Sequence, residues 1–197
     1  MKKITLLFVC ILTLFIIGCT DNNKVNNGNK DDLPKEASNI GIIYFSATQN
    51  TKRVAEYIGE YYNVEIYEIA PKIPYTASDL NYNNSSSRVS VEHNDKTIRP
   101  EIENDIDLTN FDCIFIGYPI WWGEAPNILY TFVESKDFSD KTIIPFATSI
   151  SSSLGSSASN LAKATNGNWL TGKRFSSSVN KNTVNEWLDS LNITKKQ

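Results

Sequence analysis

Apolar and polar positions alternate in blocks that predict strands followed by helices. The apolar run Ile42–Phe45 leads directly into a cluster of small hydroxyl and amide residues. An amphipathic helix pattern then begins, in which Val54, Ala55, Ile58 and Tyr62 fall on one face. We therefore predict a buried strand, a tight loop and a helix whose N-terminus points into that loop.

The same alternation continues to the end of the chain. Residues 112–117 predict a strand buried on both faces, and a helix follows from about Pro126 to Glu134. The other predicted elements are strands at 64–69 and 142–147, a serine-capped helix at 156–164, an irregular fifth strand at 169–175 and a last helix at a Thr183–Glu186 capping box. Such alternation is typical of a doubly wound α/β domain with a parallel sheet.

Residues 71–108 do not fit this alternation. A structureless loop of 38 residues would be unusual in a compact domain, so we expect a helix within it, near Asp79–Ser90. The segment also holds the only histidine, His93, together with Arg88, Arg99, Tyr75 and Tyr82. We favour a solvated excursion with no chemical role over a segment that lies beside a ligand.

Two stretches that follow predicted strands carry candidate chemistry. The helix start after the first strand offers unpaired backbone N–H groups and hydroxyl donors that suit a phosphate, although plain helix capping explains the same residues. Trp121 and Trp122 follow the strand at 112–117, where open α/β sheets bind ligands. Their flat side chains suit a planar ring, although they are also compatible with ordinary packing. Together the two stretches favour a nucleotide with a planar ring.

The motif Tyr118-Pro119-Ile120-Trp121-Trp122-Gly123 and the strand–loop–helix at 42–62 resemble the flavodoxin family, in its branch with a Tyr-Pro-x-Trp-Trp-Gly loop. The resemblance extends from about Asn39 to Phe175. It implies a flavodoxin-like three-layer α/β/α fold, with a five-stranded parallel sheet in the order 2-1-3-4-5. It also implies flavin mononucleotide (FMN) as the cofactor.

By position, the resemblance implies three groups of cofactor-binding residues. The phosphate would be held by Ser46, Thr48, Gln49, Asn50 and Thr51. The isoalloxazine ring would be bordered by Pro119, Ile120, Trp121, Trp122 and Gly123, with Trp121 or Trp122 packed against it. The third side would be closed by Thr148, Ser149, Ile150, Ser151 and Gly155.

Two positions depart from the pattern of the family, and the first loop lacks a positively charged residue for the phosphate. Gln49 stands where the usual loop has glycine, so the backbone must turn without that freedom. Ile150 and its serine neighbours replace a run that is commonly glycine-rich. Because no cation lies within 46–51, we expect neutral donors to hold the phosphate, with Lys52 and Arg53 largely exposed to solvent.

The N-terminal residues resemble a bacterial lipoprotein signal. Lys2 and Lys3 precede an apolar run at 4–18, which is shorter than the roughly 20 residues of a membrane span and ends at Gly18-Cys19. We expect a signal peptide at 1–18, a lipidated Cys19 with a flexible polar tether at 19–38, and an FMN-binding domain at 39–197. The alternatives are an uncleaved signal anchor and a soluble secreted protein.

Composition and missing motifs narrow the possible functions. Loss of 1–18 would change the net charge from −3 to −5, which argues against a nucleic-acid partner. The sequence has no Cys/His cluster with metal-ligand spacing and no nucleophile elbow, and Gly167–Lys173 only partly matches a phosphate loop, because Arg174 follows where Ser or Thr is needed. We therefore expect no metal site.

We predict a membrane-tethered, FMN-binding redox protein, lipid-anchored outside the cytoplasm of a bacterial cell. Its role would be electron transfer to an unknown redox partner or reduction of a small acceptor such as a quinone, and the sequence does not decide whether it is an enzyme. The alternative is a non-catalytic binding module at the cell surface on the same fold. Gln49 and Ile150 are the residues that keep this alternative open.

Overall fold

The computed structural model describes residues 36–37 and 39–195. The predicted signal segment, Cys19 and the tether up to residue 35 lie outside the described residues. In chain order the elements are β1 (Glu36–Ala37), β2 (Ile40–Tyr44), α1 (Asn50–Tyr62), β3 (Ile66–Glu68), α2 (Arg88–Asn94), β4 (Cys113–Pro119), α3 (Asn127–Glu134), β5 (Thr142–Ser149), α4 (Ser157–Ala162), β6 (Asn168–Trp169), β7 (Lys173–Ser176), α5 (Lys181–Leu191) and β8 (Thr194–Lys195).

The central sheet is parallel and runs β3-β2-β4-β5, with β6 and β7 both paired to β5. β6 pairs with the start of β5, and β7 pairs with its end, so the two short strands share the last position of the sheet. Counting that position once, the strand order is 2-1-3-4-5, as predicted. A separate parallel pair joins β1 to β8.

The sheet is covered on both faces, which is why its strands are apolar throughout. Every residue of β2 is buried, as expected for a strand between two helical layers. One face packs against α1 and α5 through residues that include Ile58 and Leu188. The other face packs against α3 and α4 through residues that include Phe132 and Leu161. The predicted three-layer α/β/α architecture is confirmed.

The helix within residues 71–108 begins at Arg88, nine residues later than expected. The preceding residues form turns in which side chains bind the backbone. Asp79 Oδ2 accepts from the Thr76 N–H, while Asn81 and Asn84 accept from backbone N–H groups two residues further on. Such local bonds compete with helix formation, so the expected start near Asp79 is wrong.

The last helix, in contrast, starts earlier than predicted. α5 begins at Lys181, and Asn180 is its N-cap, because its side-chain oxygen accepts a hydrogen bond from the Thr183 N–H at 3.0 Å. The predicted capping box, with Thr183 as the cap, is therefore wrong. At α4, Ser156 stands at the N-cap position but makes no side-chain capping bond. None of the helices in the described ranges is both long and apolar enough to cross a membrane.

Candidate cofactor-binding site

A cleft with a volume of about 470 Å³ opens at the carboxyl ends of the central strands. This volume lies within the range of small-molecule sites, which is roughly 300–1,000 Å³. Its walls come from the loops after β2, β4 and β5, and from the segment between β3 and α2. The lining residues are Thr48, Asn50, Leu80, Tyr82, Val89, Pro119, Ile120, Trp121, Trp122, Thr148, Ser149, Ile150, Ser151, Ser152 and Ser177.

The first loop ends at the N-terminus of α1, a helix of 13 residues. Its first backbone bond runs from the Arg53 N–H to the Gln49 carbonyl at 3.1 Å, so the N–H groups before Arg53 are available to a ligand. Ser46 is buried, and its hydroxyl has no hydrogen-bond partner. A buried hydroxyl without a partner beside a helix N-terminus fits a phosphate group.

Gln49 takes the backbone turn that the usual glycine would make. Its φ angle is +63°, in the left-handed region, and its side chain is exposed. The expectation of a strained turn at this position is confirmed. The turn places Gln49 directly before the first residue of α1, with no side-chain cap on the helix.

Thr51 and Thr148 connect the first loop to the third. Their hydroxyl oxygens lie 2.7 Å apart, and both side chains are almost fully buried. Either hydroxyl can donate in this bond. If Thr148 donates, the Thr51 proton is free for a second acceptor.

Lys52 and Arg53 are both half-buried, so the expectation that they are largely exposed is wrong. Arg53 Nη2 donates to the Ser177 carbonyl at 2.5 Å and to Asn50 Oδ1 at 2.9 Å. The first turn of α1 therefore packs beside the loop between β7 and α5. A guanidinium group lies next to the start of the helix, bound to two residues that line the cleft.

The two tryptophans of the second loop have different surroundings. Trp121 contacts Phe45 and Tyr75 edge-on, with ring centroids 5.8 and 5.6 Å apart. Trp122 is 42% exposed, has a φ angle of +48°, and stacks on His93 with centroids 4.6 Å apart and an interplanar angle of 17°. Trp121 thus belongs to a packed aromatic cluster, whereas Trp122 stands at the open side of the cleft.

Arg174 holds the third loop in place. Its Nε donates to Ser149 Oγ at 2.7 Å, and its Nη2 donates to the Ile150 carbonyl at 2.8 Å. The Ile150 side chain is 88% exposed and lines the cleft mouth. A guanidinium group thus stabilises the loop that lacks the usual glycines. Sequence reasoning assigned no such role to Arg174.

Leu80, Tyr82 and Val89 bring the segment 71–108 to the edge of the cleft, while most of residues 71–86 are exposed to solvent. The lack of a chemical role for this segment stays a prediction. The Tyr75 hydroxyl donates to the buried Glu92 carboxylate at 2.8 Å, and Arg88 Nε donates to the same carboxylate at 2.7 Å. The Arg88 guanidinium carbon also lies 3.8 Å from the centre of the Tyr75 ring. Burial, and secondarily the Glu92 charge, raise the pKa of Tyr75, which keeps its proton for this bond.

The structure brings most of the predicted site residues to one cleft. Those that line it are Thr48, Asn50, Pro119, Ile120, Trp121, Trp122, Thr148, Ser149, Ile150 and Ser151. The predicted residues that do not line it are Ser46, Gln49, Thr51, Gly123 and Gly155. Lining residues that the sequence did not single out are Leu80, Val89, Ser152 and Ser177. Tyr82 was noted only as part of residues 71–108. The unusual length of that segment was the one sign in the sequence of a contribution to the site.

The flavodoxin family model matches residues 39–191. The chain belongs to the flavodoxin family. Family membership confirms FMN as the cofactor, and the buried hydroxyl of Ser46, in the loop that leads into α1, fits its phosphate. Among curated proteins, nothing matches.

Two solved flavoprotein structures are similar to this chain over almost their whole length. The protein from Bacteroides eggerthii is 44% identical with a TM-score of 0.73, covering 78% of this chain and 98% of its own. The protein from Bacteroides uniformis is 40% identical with a TM-score of 0.73, covering 77% and 98%. A flavoprotein from Lactobacillus acidophilus, solved in complex with FMN, is 22% identical with a TM-score of 0.58, covering 77% and 99%, and shows the fold alone.

No group of three or more acidic, histidine or cysteine side chains in the described ranges could hold a metal ion. Cys113 is a free cysteine within β4. Burial raises the pKa of its thiol to about 12, which keeps it protonated and unreactive at neutral pH. The only described cysteine is therefore a packing residue of the core.

Proposed function

We propose that this flavodoxin is a membrane-tethered redox protein that uses FMN for electron transfer or for the reduction of a small acceptor such as a quinone. The observation that carries the proposal is the arrangement of the cleft. Thr48 and Asn50, at the N-terminus of α1, line one end, with the buried Ser46 hydroxyl in the same loop behind them, and the exposed side chains of Trp122 and Ile150 lie at the mouth. One end suits a phosphate, and the other leaves a planar ring accessible to a partner.

In this proposal, neutral donors hold the phosphate. Ser46 donates its free hydroxyl, and the backbone N–H groups before Arg53 add donors at the positive end of the α1 dipole. Thr51 contributes its hydroxyl when Thr148 donates to it. Arg53 keeps Asn50 in place through the bond to its side-chain oxygen. The phosphate is thereby positioned without direct ion pairing.

The ring occupies the apolar part of the cleft. Ile120, Trp121 and Trp122 form one wall, and Thr148–Ser151 form another, held by Arg174. FMN supplies reversible transfer of electrons, while the protein orients the ring and limits its access to water. The side chains of Tyr82, Trp122 and Ile150 remain exposed around the mouth. A partner or a small acceptor would approach there.

The membrane tether rests on the sequence. The apolar run that ends at Gly18-Cys19 supports lipidation of Cys19, and the polar residues 20–38 support a flexible connection. A coil of about 19 residues spans about 25 Å on average, enough to hold the domain next to a bilayer. The lipid on Cys19 would place the protein at the outer face of a bacterial cell membrane.

The absorption spectrum of the purified protein tests the redox function. A flavin band that is bleached by dithionite and restored by air supports it. A protein that stays colourless after incubation with FMN would support the alternative of a non-catalytic binding module at the cell surface. Reduction assays with a small quinone and with a protein acceptor such as cytochrome c then separate a reductase from an electron carrier.

A further inference from the structure

Trp122 has a backbone conformation that a bulky residue rarely adopts. Its φ angle of +48° lies in the left-handed region, which is disfavoured for L-residues with a large side chain. Such conformations persist when surrounding contacts hold them, and they concentrate at binding sites. The next residue, Gly123, also has a positive φ angle, of +80°. Two backbone hydrogen bonds between Trp121 and Glu124, of 2.9 and 3.0 Å, close this turn. The turn therefore fixes the backbone, and the position of the exposed indole ring depends on the contacts of the side chain.

His93 supplies the contact that maintains this position. Its imidazole ring stacks on the indole with ring centroids 4.6 Å apart. His93 lies near the end of α2, which is fastened to α3 by the buried side chain of Asn127. Asn127 Nδ2 donates to the carbonyls of Glu92 at 2.7 Å and of Asp95 at 3.0 Å. The imidazole is thus presented by a fixed piece of backbone.

Lys96 fixes the imidazole tautomer. Its Nζ lies 3.0 Å from His93 Nδ1, and because an ammonium group can only donate, this contact requires an unprotonated Nδ1. The bond therefore exists only with a neutral imidazole that carries its proton on Nε2. Protonation of His93 would place an N–H group and a positive charge against the ammonium group.

We propose that His93 is a positioning residue for FMN, whose neutral imidazole backs the Trp122 indole and holds it as the outer wall of the cleft. The proposal rests on FMN binding in this cleft. It assigns the chain's only histidine a role in ligand binding rather than in proton transfer. It also makes FMN affinity dependent on pH through a group that does not contact the phosphate.

The charged groups around His93 set the direction of this dependence. Burial and the Lys96 charge lower the pKa of His93, and Glu124 acts weakly in the opposite direction. Two further acids neighbour His93 in sequence: the Glu92 carboxylate is bound to Arg88 and Tyr75, and the Asp95 carboxylate accepts from the Thr97 N–H and hydroxyl. Because the pKa is lowered, the imidazole is neutral and the stack is complete at and above about pH 6.5, the ordinary value for histidine. The stack is lost only as the pH falls through the lowered pKa, which lies below that value.

Flavin fluorescence titrations at pH 8 and pH 5.5 test the proposal. His93→Ala should weaken FMN binding at pH 8 by about 2- to 12-fold, the effect of losing one aromatic pair. His93→Phe keeps a flat ring without a titrating group, so it should bind within about twofold of the native protein at pH 8. At pH 5.5 the native protein should lose more affinity than His93→Phe does.

Riboflavin separates this effect from titration of the phosphate. The native protein should also bind riboflavin less tightly at pH 5.5, and His93→Phe should remove that loss. Equal affinity of His93→Ala and the native protein at pH 8 would overturn the proposal, as would an unchanged pH dependence in His93→Phe. If the native protein binds no FMN at all, the proposed function fails instead. Thermal unfolding of each FMN-free variant shows whether a loss reflects the fold.

Discussion

The Ser46 hydroxyl is the most specific single-residue feature of the site. It is buried within the first loop, and no group among the described residues satisfies it. A buried polar group without a partner costs about 1–3 kcal/mol, so a ligand that supplies an acceptor gains affinity there. The same side chain is therefore unfavourable for the fold and favourable for the complex.

Ser46→Ala should weaken FMN binding about 10- to 150-fold, because it removes a charge-assisted hydrogen bond worth about 1.5–3 kcal/mol. The FMN-free protein should be no less stable than the native one, since the hydroxyl has no partner to lose. Fluorescence titration and urea unfolding measure the two effects. Riboflavin affinity should not change, and Ser156→Ala, at an exposed serine without a capping bond, is the matched control.

Gln49 is strained by its positive φ angle of 63°. Gln49→Gly should raise the free energy of unfolding by about 0.5–1 kcal/mol, because relief of a left-handed conformation worth about 1–2 kcal/mol outweighs the greater freedom of glycine in the unfolded chain. Urea unfolding of the FMN-free protein measures the change. Gln49→Ala keeps the Cβ atom and the strain, so an equal gain in that variant would contradict the explanation.

Among the elements, three short turns share the same pattern of hydrogen bonds. In Asp95-Lys96-Thr97, Asp107-Leu108-Thr109 and Asp137-Phe138-Ser139, the carboxylate accepts both the backbone N–H and the hydroxyl of the residue two positions later. These bonds lower the pKa of each carboxyl group. Each turn stands where a helix ends or a strand is about to begin, so this pattern shapes the connections of the fold.

Among these three carboxyl groups, Asp137 has the most strongly lowered pKa. The Ser139 N–H and hydroxyl, and then the Asn166 side chain, lower its pKa to about 2. A lowered pKa means that the carboxylate stabilises the folded state at every pH above the ordinary pKa of aspartate. This contribution to the free energy of unfolding is lost as the pH falls toward 2. Asp137→Ala should therefore be less stable than the native protein at pH 7, with a difference that narrows below about pH 4.

Urea unfolding from pH 7 to pH 3 measures this narrowing. Ser156→Ala is the control, because it removes an exposed hydroxyl that does not titrate and makes no capping bond. Its difference from the native protein should stay constant over the same range. A difference for Asp137→Ala that does not depend on pH would mean that the turn is stabilised by packing rather than by the carboxylate.

The strands β2, β4 and β5 were predictable because each is an apolar run between turn residues and is buried along almost its whole length. The helix at 88–94 was misplaced because Asp79 and its neighbours satisfy backbone groups locally, which a periodicity pattern does not record. The contributions of Arg174 and His93 were missed for another reason. Each acts on a residue 25 to 29 positions away, and only the folded chain brings such partners together.

On the scale of the whole molecule, the described chain begins and ends at the same place. β1 pairs in parallel with β8, and Asn39 bonds to Asp112 at the start of β4. Both features lie at the amino edge of the sheet, because β2 and β4 begin there. The cleft lies at the opposite, carboxyl edge. Any connection to a membrane through the N-terminal residues therefore enters the domain on the side away from the cleft.

Cys19→Ala should release the protein from membranes or leave an uncleaved precursor, because the proposed attachment is the lipid on that residue. Cell fractionation followed by intact-mass measurement of the native protein and the variant tests this. Cys113→Ala, at a buried packing position, is the matched control and should remain membrane-bound. A native protein with an unmodified Cys19 at an internal position would contradict the proposal.

The opposed edges of the sheet have a consequence for which molecules can exchange electrons with the protein. β4 has seven residues, so the sheet places about 20 Å between its two edges. If the domain is attached to lipid through the amino edge of its sheet, the opening of the cleft, with Tyr82, Trp122 and Ile150, faces the aqueous space. A diffusible partner can reach the cofactor directly from solution. A quinone dissolved in the bilayer can reach it only when the tether lets the domain turn its cleft toward the membrane.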